Sequence, residues 1–247
     1  MSDAALFPTL VAMAAVLVSA VLHGISGTGF ALVAVPAFVI LYGAHDGIRI
    51  GLALGLMVSA FALVSTIRMV EWARALTLLA PALVLIPAGA WIVSRLDSRL
   101  LTLITGVLVI VLVLFALRVS ATSDRGGSRY RWPIALAVGA GAALVHVTSA
   151  LSAPLLAAHA IHISWPPKAF AATAQVTFIG YNILSLAFLQ VDGGNLSTAG
   201  LLLLPLAAGL AIGMTVRFRL SDRVAIFVLS VVAMAGGVAA IIKVALI

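Results

Sequence analysis

The chain has no cysteine, which excludes disulfides, cysteine-based zinc sites and thiol nucleophiles. Charge is also scarce, because 9% of the 247 residues are charged, against roughly 25% in a typical soluble domain. The apolar residues, 64% of the chain, run in successive uninterrupted stretches rather than along one face of each helix. Such a surface must contact lipid, and we therefore predict a protein that crosses the bilayer many times.

Acidic side chains are missing from the apolar stretches. Membrane-embedded carboxylates are the usual relays for protons and cations, so this pattern argues against a cation carrier. The seven acids lie in predicted loops or at the ends of predicted spans: Asp3, Asp46, Glu71, Asp97, Asp124, Asp192 and Asp222. The net charge of +7 comes from Lys and Arg in the breaks between apolar runs, where topology-setting charges lie. The sequence has no basic stripe with interleaved aromatic residues, so we expect no nucleic-acid partner.

The apolar residues form eight regions of membrane length. A helix needs about 20 apolar residues to cross a bilayer. Six regions are continuous or nearly so: 48–67, 73–93, 100–117, 169–189, 199–216 and 224–245. Two longer regions, 7–41 and 132–163, are interrupted by small and polar residues after His23 and His146 respectively. The sequence therefore predicts an all-α, polytopic membrane protein.

The two interrupted regions occupy equivalent places in the two halves of the chain, which indicates an internal repeat. His23 and His146 are 123 residues apart, and so are Ser26 and Ser149. An offset of 124 residues relates three further pairs: Gly89 with Gly213, Arg95 with Arg219, and Arg99 with Arg223. A nearly constant offset over so long a stretch favours duplication of one helical unit.

The basic residues favour an inverted relation between the two halves. If each interrupted region crosses once, each side of the membrane carries seven basic residues, which gives no bias. If each region forms a re-entrant hairpin or two short helices, the division is ten against four, as the positive-inside rule expects. We therefore predict two inverted repeats, each an interrupted or re-entrant helix pair plus three spanning helices, with both termini outside. The first repeat is 1–120, a cytoplasmic linker is 121–131, and the second repeat is 132–247.

Both interruptions offer groups that can bind an anion. A helix that starts inside the membrane presents unpaired backbone N–H groups and about half a positive charge. Small residues let a ligand approach that backbone, and transporters with inverted repeats place such broken helices around the substrate. The residues predicted to bind substrate there are His23, Ser26, Gly27, Thr28, Gly29, His146, Thr148, Ser149 and Ser152.

The histidines and a polar stripe complete the predicted site. Histidine can pair with an anion when protonated and release it when neutral. Gln175 and Asn182 share a polar stripe on the helix after the second interruption and are further candidates. A structural role is the alternative, because Gly and Ser often allow close helix packing and a lone His often bonds a neighbouring carbonyl. The recurrence of His three residues before Ser in both halves favours a function.

The segment Gly24–Phe30, followed by Pro36 and Gly43, resembles the first glycine-rich signature of the TauE/SafE family of sulfite and organosulfonate exporters. The second half resembles the weaker partner of that signature, with Ser152 and Pro154 inside a broken helix. The resemblance implies a transporter that moves sulfite, sulfonates or related small anions across the cytoplasmic membrane. The second interruption has Ala and Ser where the family signature is glycine-rich, so the resemblance leaves the identity of the anion open.

These observations predict a secondary transporter for a small anion, either sulfite, an organosulfonate or a related sulfur oxyanion, that works by alternating access in the cell inner membrane. The sequence leaves open an anion channel with the same site, an uptake carrier for a small carboxylate, and a structural or assembly subunit. An enzyme is not expected, because Ser26 and His23 have no acid to orient the histidine. We expect no metal and no cofactor, and the sequence leaves a homodimer open.

Overall fold

A computed structural model describes residues 3–122, 129–190, 193–216 and 222–246, and within these ranges it contains helices and no β-strand. The first half forms α1 Asp3–Ser26, α2 Phe30–Tyr42, α3 Ala44–Thr66, α4 Trp72–Leu79, α5 Ala82–Val93 and α6 Ser98–Thr122. The second half forms α7 Trp132–Ser149, α8 Ala153–His162, α9 Pro167–Phe188, α10 Gly193–Leu201, α11 Leu203–Val216 and α12 Asp222–Leu246. Residues 123–128 of the predicted linker, and Arg219 of the predicted repeat pairs, lie outside the described ranges.

Each half contains the same series of elements. A long helix is followed by a break and a short helix, with residues 27–29 between α1 and α2 and residues 150–152 between α7 and α8. Three segments follow: one long helix, one bent pair and a second long helix. In the first half the bend between α4 and α5 lies at Pro81, which has no backbone N–H to continue the helical hydrogen bonding. An interrupted helix pair plus three further segments is the predicted unit.

The outer surface of the helices is apolar. Seven helical segments in the described ranges are long and apolar enough to cross a membrane, and α2 and α11 are shorter apolar helices. Val64 and Leu204, for example, are each 79% exposed. A surface of this kind is unfavourable in water and suits hydrocarbon, whereas the backbone polar groups are satisfied inside the helices. The chain is therefore an all-helical, multi-pass membrane protein, as predicted, and the inversion of the halves stays a prediction.

The helices of the two halves pack in corresponding pairs. α1 packs on α11 as α7 packs on α5, and α2 packs on α12 as α8 packs on α6. Two further extensive contacts join a helix to its own counterpart, α3 to α9 and α6 to α12. Gly213 and Gly89, paired by the sequence offset, lie at equivalent contacts: a Cβ on Gly213 would lie 2.3 Å from the carbonyl oxygen of Val21, and one on Gly89 would lie 2.6 Å from Val147. Small residues therefore set the distance between the broken helices and their neighbours.

Candidate functional site

The two breaks have the same backbone geometry. Gly27 follows α1 with φ of 74° and its N–H donates to the His23 carbonyl at 2.7 Å. Ala150 follows α7 with φ of 58° and its N–H donates to the His146 carbonyl, also at 2.7 Å. The left-handed region suits glycine, and a residue with a Cβ pays roughly 1–2 kcal/mol to occupy it. The departure from glycine in the second break therefore leaves the turn intact, at a small cost in stability.

A small cavity lies between the two breaks. Its volume is about 40 Å³, which is room for no more than a few water molecules. Its wall includes residues of both breaks and of the central helices α3 and α9. The polar residues in that wall are His23, Ser59, His146 and Asn182. Ser59 precedes Asn182 by 123 residues, the same offset that relates the histidines, so two equivalent pairs of polar residues meet in this inner cavity.

The histidine of the second half is fixed by hydrogen bonds. His146 is 3% exposed, its Nε2–H donates to Asn182 Oδ1 at 3.2 Å, and its Nδ1 accepts from the Ser152 hydroxyl at 2.8 Å. Its ring also lies 5.3 Å from the ring of Tyr181. The Tyr181 hydroxyl is in turn within 2.9 Å of the Leu78 carbonyl and 3.0 Å of a carbonyl of α7. With both nitrogens bonded, the imidazole of His146 is held by the protein itself.

The histidine of the first half has no such partners. His23 is 5% exposed, and both of its ring nitrogens are buried without a hydrogen-bond partner among the described residues. At the positions that correspond to Ser152 and Asn182, the first half has Gly29 and the shorter Ser59. A side chain at Gly29 would be strained, because its φ is 104° and its Cβ would lie 2.6 Å from the side chain of Leu229, which would have to shift. The imidazole is therefore hydrogen-bonded on both nitrogens in the second half, whereas in the first half neither nitrogen has a partner among the described residues.

A larger cavity, the vestibule, opens next to His23. Its volume is about 520 Å³, and it lies between the C-terminal ends of α1 and α3, the N-terminal end of α9, and α11. Among the described residues, Lys168 is the one charged residue in its wall, and no described carboxylate lines it or the inner cavity. His23 belongs to the walls of both cavities. The imidazole thus stands where the vestibule meets the inner cavity.

Gln175 connects the vestibule to the first break. It is 2% exposed, and its Nε2–H donates to the Gly27 carbonyl at 3.0 Å. Its Oε1 is buried and has no partner among the described residues. Gln175 and Gly27 both line the vestibule, so a residue from the polar stripe and a residue from the first break are brought together.

Most of the other predicted site residues lie in or next to the breaks without lining either cavity. The Ser26 hydroxyl lines the vestibule but bonds within the turn, to the Leu22 carbonyl at 2.8 Å and to the Thr28 carbonyl. The Thr148 and Ser149 hydroxyls donate to carbonyls of their own helix, at 3.0 and 2.8 Å. Thr28, Thr148, Ser149 and Ser152 do not line either cavity. Their contact with substrate stays a prediction.

The polar wall residues that the sequence does not single out include Ser59 in the inner cavity and Lys168 in the vestibule. Ser59 lies on a predicted span without any local motif, and its equivalence to Asn182 at the repeat offset is the signal that could have found it. Lys168 was counted with the topology-setting charges, because a lysine at a helix start carries no information about which cavity it borders. Its place in the vestibule depends on how α9 packs beside α1 and α3.

The acids described with their side chains lie at helix starts, away from the cavities. Asp46 pairs with Arg49 at 3.1 Å, and Glu71 pairs with Arg74 at 3.0 Å. Asp97 accepts the backbone N–H of Leu100 at 2.8 Å in the first turn of α6. The described part of the chain therefore gives the vestibule wall one basic residue and gives neither cavity wall a negative charge, a pattern that favours anions over cations.

Comparison with known families gives one match that covers most of the chain. The family model described as "Sulfite exporter TauE/SafE" matches residues 11–240. No curated protein and no solved structure matches the chain.

Proposed function

Because the chain belongs to the TauE/SafE family of sulfite exporters, a family of membrane transporters, we propose that it is a secondary transporter that moves a small sulfur oxyanion, sulfite or an organosulfonate, across the inner (cytoplasmic) membrane. The observation that carries the proposal is His23. A buried imidazole whose two nitrogens have no hydrogen-bond partner in the described part of the chain, and which lines both cavities, is a group that a ligand can satisfy. His23, Gly27 and Gln175 form the vestibule side of the proposed site, and His146 and Asn182 form the inner side.

Electrostatics support an anion as the ligand. Charges act more strongly beside a low-dielectric wall than in water, so one lysine at the mouth raises the local concentration of anions. No carboxylate that the structure describes lines either cavity to repel them. The hydroxyls of Ser26, Thr28, Thr148, Ser149 and Ser152, and the backbone of Gly29, shape the two breaks in this proposal. Their N–H groups and hydroxyls become available to the anion when the breaks rearrange.

Alternating access is the mechanism that we propose. Helices α3 and α9 are antiparallel. The vestibule lies between them at one end, and a hydrogen bond joins them at the other end. At that end, the Nε–H of Arg49 donates to the carbonyl of Leu189 at 2.9 Å, and Nη1 of Arg49 pairs with Asp46. His45 Nε2–H donates to the Leu96 carbonyl at 3.0 Å at the same end. Breaking these contacts while the vestibule closes would expose the site to the other side of the membrane.

The vestibule lies at the end of the molecule that carries the linker between the two halves. The guanidinium of Arg74 lies over the rings of Tyr130 and Trp165, at 4.8 and 4.5 Å, which joins the end of the linker to the loop before α9. The positive-inside rule assigns that linker to the cytoplasm. In this proposal the vestibule therefore faces the cytoplasm, which suits the loading of an exporter.

Transport by purified protein in liposomes tests the proposal. Liposomes loaded with buffer should accumulate labelled sulfite with saturable kinetics, and His23→Leu should reduce the rate at least about tenfold, the effect of losing roughly one hydrogen bond to a charged group. Gly141→Ala is the matched control, because a Cβ there meets nothing within 4 Å. Equal rates for His23→Leu and the control would remove this site.

The alternatives predict other results in the same assay. An anion channel would show single-channel currents and rates that do not saturate at carrier-like concentrations. A carboxylate carrier would take up a labelled small carboxylate instead of labelled sulfite, and sulfite and sulfonates would not inhibit that uptake. A structural subunit would show no flux until a partner protein is added.

A further inference from the structure

The side-chain amide of Gln175 contains an acceptor that the protein leaves unused. Its Nε2–H donates to the Gly27 carbonyl at 3.0 Å, and a carbonyl can only accept, so the orientation of the amide is fixed. Its Oε1 is consequently an acceptor, buried and without a partner among the described residues. A buried unpaired carbonyl oxygen is costly unless a ligand or an ordered water bonds to it.

The fold does not require a polar residue at this place. The position that corresponds to Gln175 in the first half, 123 residues earlier, is Leu52, which is fully buried in the apolar core. The bond to Gly27 accounts for the amide nitrogen but not for the oxygen. Because Gln175 lines the vestibule, a ligand that enters this cavity is the candidate partner for Oε1.

The neighbouring groups define the chemistry of a ligand that would satisfy this oxygen. Lys168 can only donate, and the imidazole of His23 offers a donor, so both suit anionic oxygens. Oε1 can only accept, so an ion made of acceptors alone would leave it unpaired and be repelled by its partial negative charge. A ligand with an O–H or N–H group beside its anionic group would satisfy all three residues at once.

We propose that the transported anion carries a hydrogen-bond donor, a hydroxyl, an amine or the proton of a hydrogen anion, and that Gln175 is the specificity-determining residue that binds it. This inference rests on the proposed function and narrows its substrate class: a hydroxylated or aminated sulfonate, or hydrogen sulfite, is preferred over a sulfonate with a plain alkyl chain. A buried polar group that is left unpaired gives discrimination of roughly 10- to 100-fold in favour of the ligand that bonds to it.

Two sulfonates that differ by one hydroxyl provide the test. 2-Hydroxyethanesulfonate and ethanesulfonate have the same charge and carbon chain, and each is measured as an inhibitor of labelled sulfite uptake by the full chain in liposomes. The wild type should be inhibited by the hydroxylated compound at a roughly 10- to 100-fold lower concentration. Gln175→Leu, which introduces the residue of the corresponding position, should bring the two inhibition constants within about threefold by weakening only the hydroxylated compound.

The remaining outcomes also decide the question. Equal inhibition of the wild type by both compounds, or no inhibition by either, would overturn the inference and show that Oε1 bonds to water only. A preference that survives in Gln175→Leu would overturn the role of Gln175. If Gln175→Leu does not fold, Gln175→Met, also apolar and unbranched, replaces it, and the wild-type comparison still stands. A wild type that takes up no sulfite and binds neither sulfonate would instead refute the proposed function, and this inference with it.

Discussion

The same substitution in the two histidines should have opposite effects on stability. His146→Leu removes two hydrogen bonds and leaves the Ser152 hydroxyl and the Asn182 oxygen without the partner they have in the wild type. Hydrogen bonds between membrane helices contribute about 0.6 kcal/mol on average and up to about 1.7. The loss of two therefore costs about 1–3 kcal/mol. His23→Leu removes two nitrogens that have no partner, so its effect on stability should be neutral or favourable.

Thermal unfolding in one detergent, with tryptophan fluorescence as the signal, measures this difference. A chain of this size loses roughly 2–4 °C of midpoint for each kcal/mol. His146→Leu should therefore unfold between about 2 and 12 °C below the wild type, whereas His23→Leu should match or exceed it. The order of transport rates in liposomes should differ from the order of thermal midpoints, because His23→Leu should fold fully and yet transport least.

Two results would contradict these expectations for His23. A fall in the midpoint for His23→Leu as large as that for His146→Leu would show that His23 has a partner in the folded protein. Normal transport by a stable His23→Leu variant would show that its free nitrogens serve no ligand. Gly141→Ala, measured beside both, gives the scatter expected of a substitution in open space.

Three further predictions concern the packing of α1 on α11, access to the inner cavity from outside, and the attraction of the anion by Lys168. Gly213→Ala should cost about 1–3 kcal/mol, because its Cβ would lie 2.3 Å from a carbonyl oxygen of α1, and a thermal midpoint equal to that of Gly141→Ala would contradict this. Arg49→Leu should increase several-fold the labelling of an Ala153→Cys variant by an impermeant maleimide added outside, because Ala153 lines the inner cavity. The chain has no other cysteine that the maleimide could label. Unchanged labelling would show that the Arg49 contacts do not control access to the cavity from outside. Lys168→Ala should raise the KM for sulfite roughly threefold to tenfold at low ionic strength and less in high salt, with rescue by Lys168→Arg, and a salt-independent change would argue against attraction.

The fold could be predicted from the sequence because its signals are local. The scarcity of charge and the length of the apolar runs indicate a membrane protein, and a run broken by glycine or serine indicates where a helix ends. The repeat could be predicted from a constant offset between His23 and His146. The breaks lie where these signals placed them, after Ser26 and after Ser149.

The sequence alone does not show which side chains of the candidate site are already hydrogen-bonded within the protein. Whether a buried histidine is bonded depends on the residue that faces it from another helix, and Asn182 is 36 positions from His146. The sequence also does not reveal that the Thr148 and Ser149 hydroxyls are already used by their own helix. Serine and threonine bond back to the preceding turn as readily as they bond a ligand.

The differences between the two halves explain why one histidine is free. The duplicated unit places an imidazole next to the inner cavity in each half, but Gly29 and Ser59 stand in the first half where Ser152 and Asn182 stand in the second. In the second half the added groups bond the imidazole and hold a turn in which Ala150 is strained. In the first half, glycine relieves the turn of strain and leaves the imidazole unbonded.

In the proposed transporter, these differences between the predicted repeats would give the two halves different roles around one cavity. An anion held by two free histidines would be bonded equally from both sides and would leave slowly, because tight binding in the occluded state raises the barrier to release. In the proposed mechanism, the hydrogen-bonded imidazole of His146 forms a rigid wall, and the imidazole of His23 would bind the anion and then release it into the vestibule. The substitution that would convert one half into the other is Ser59→Asn, which puts an amide where Asn182 lies relative to His146.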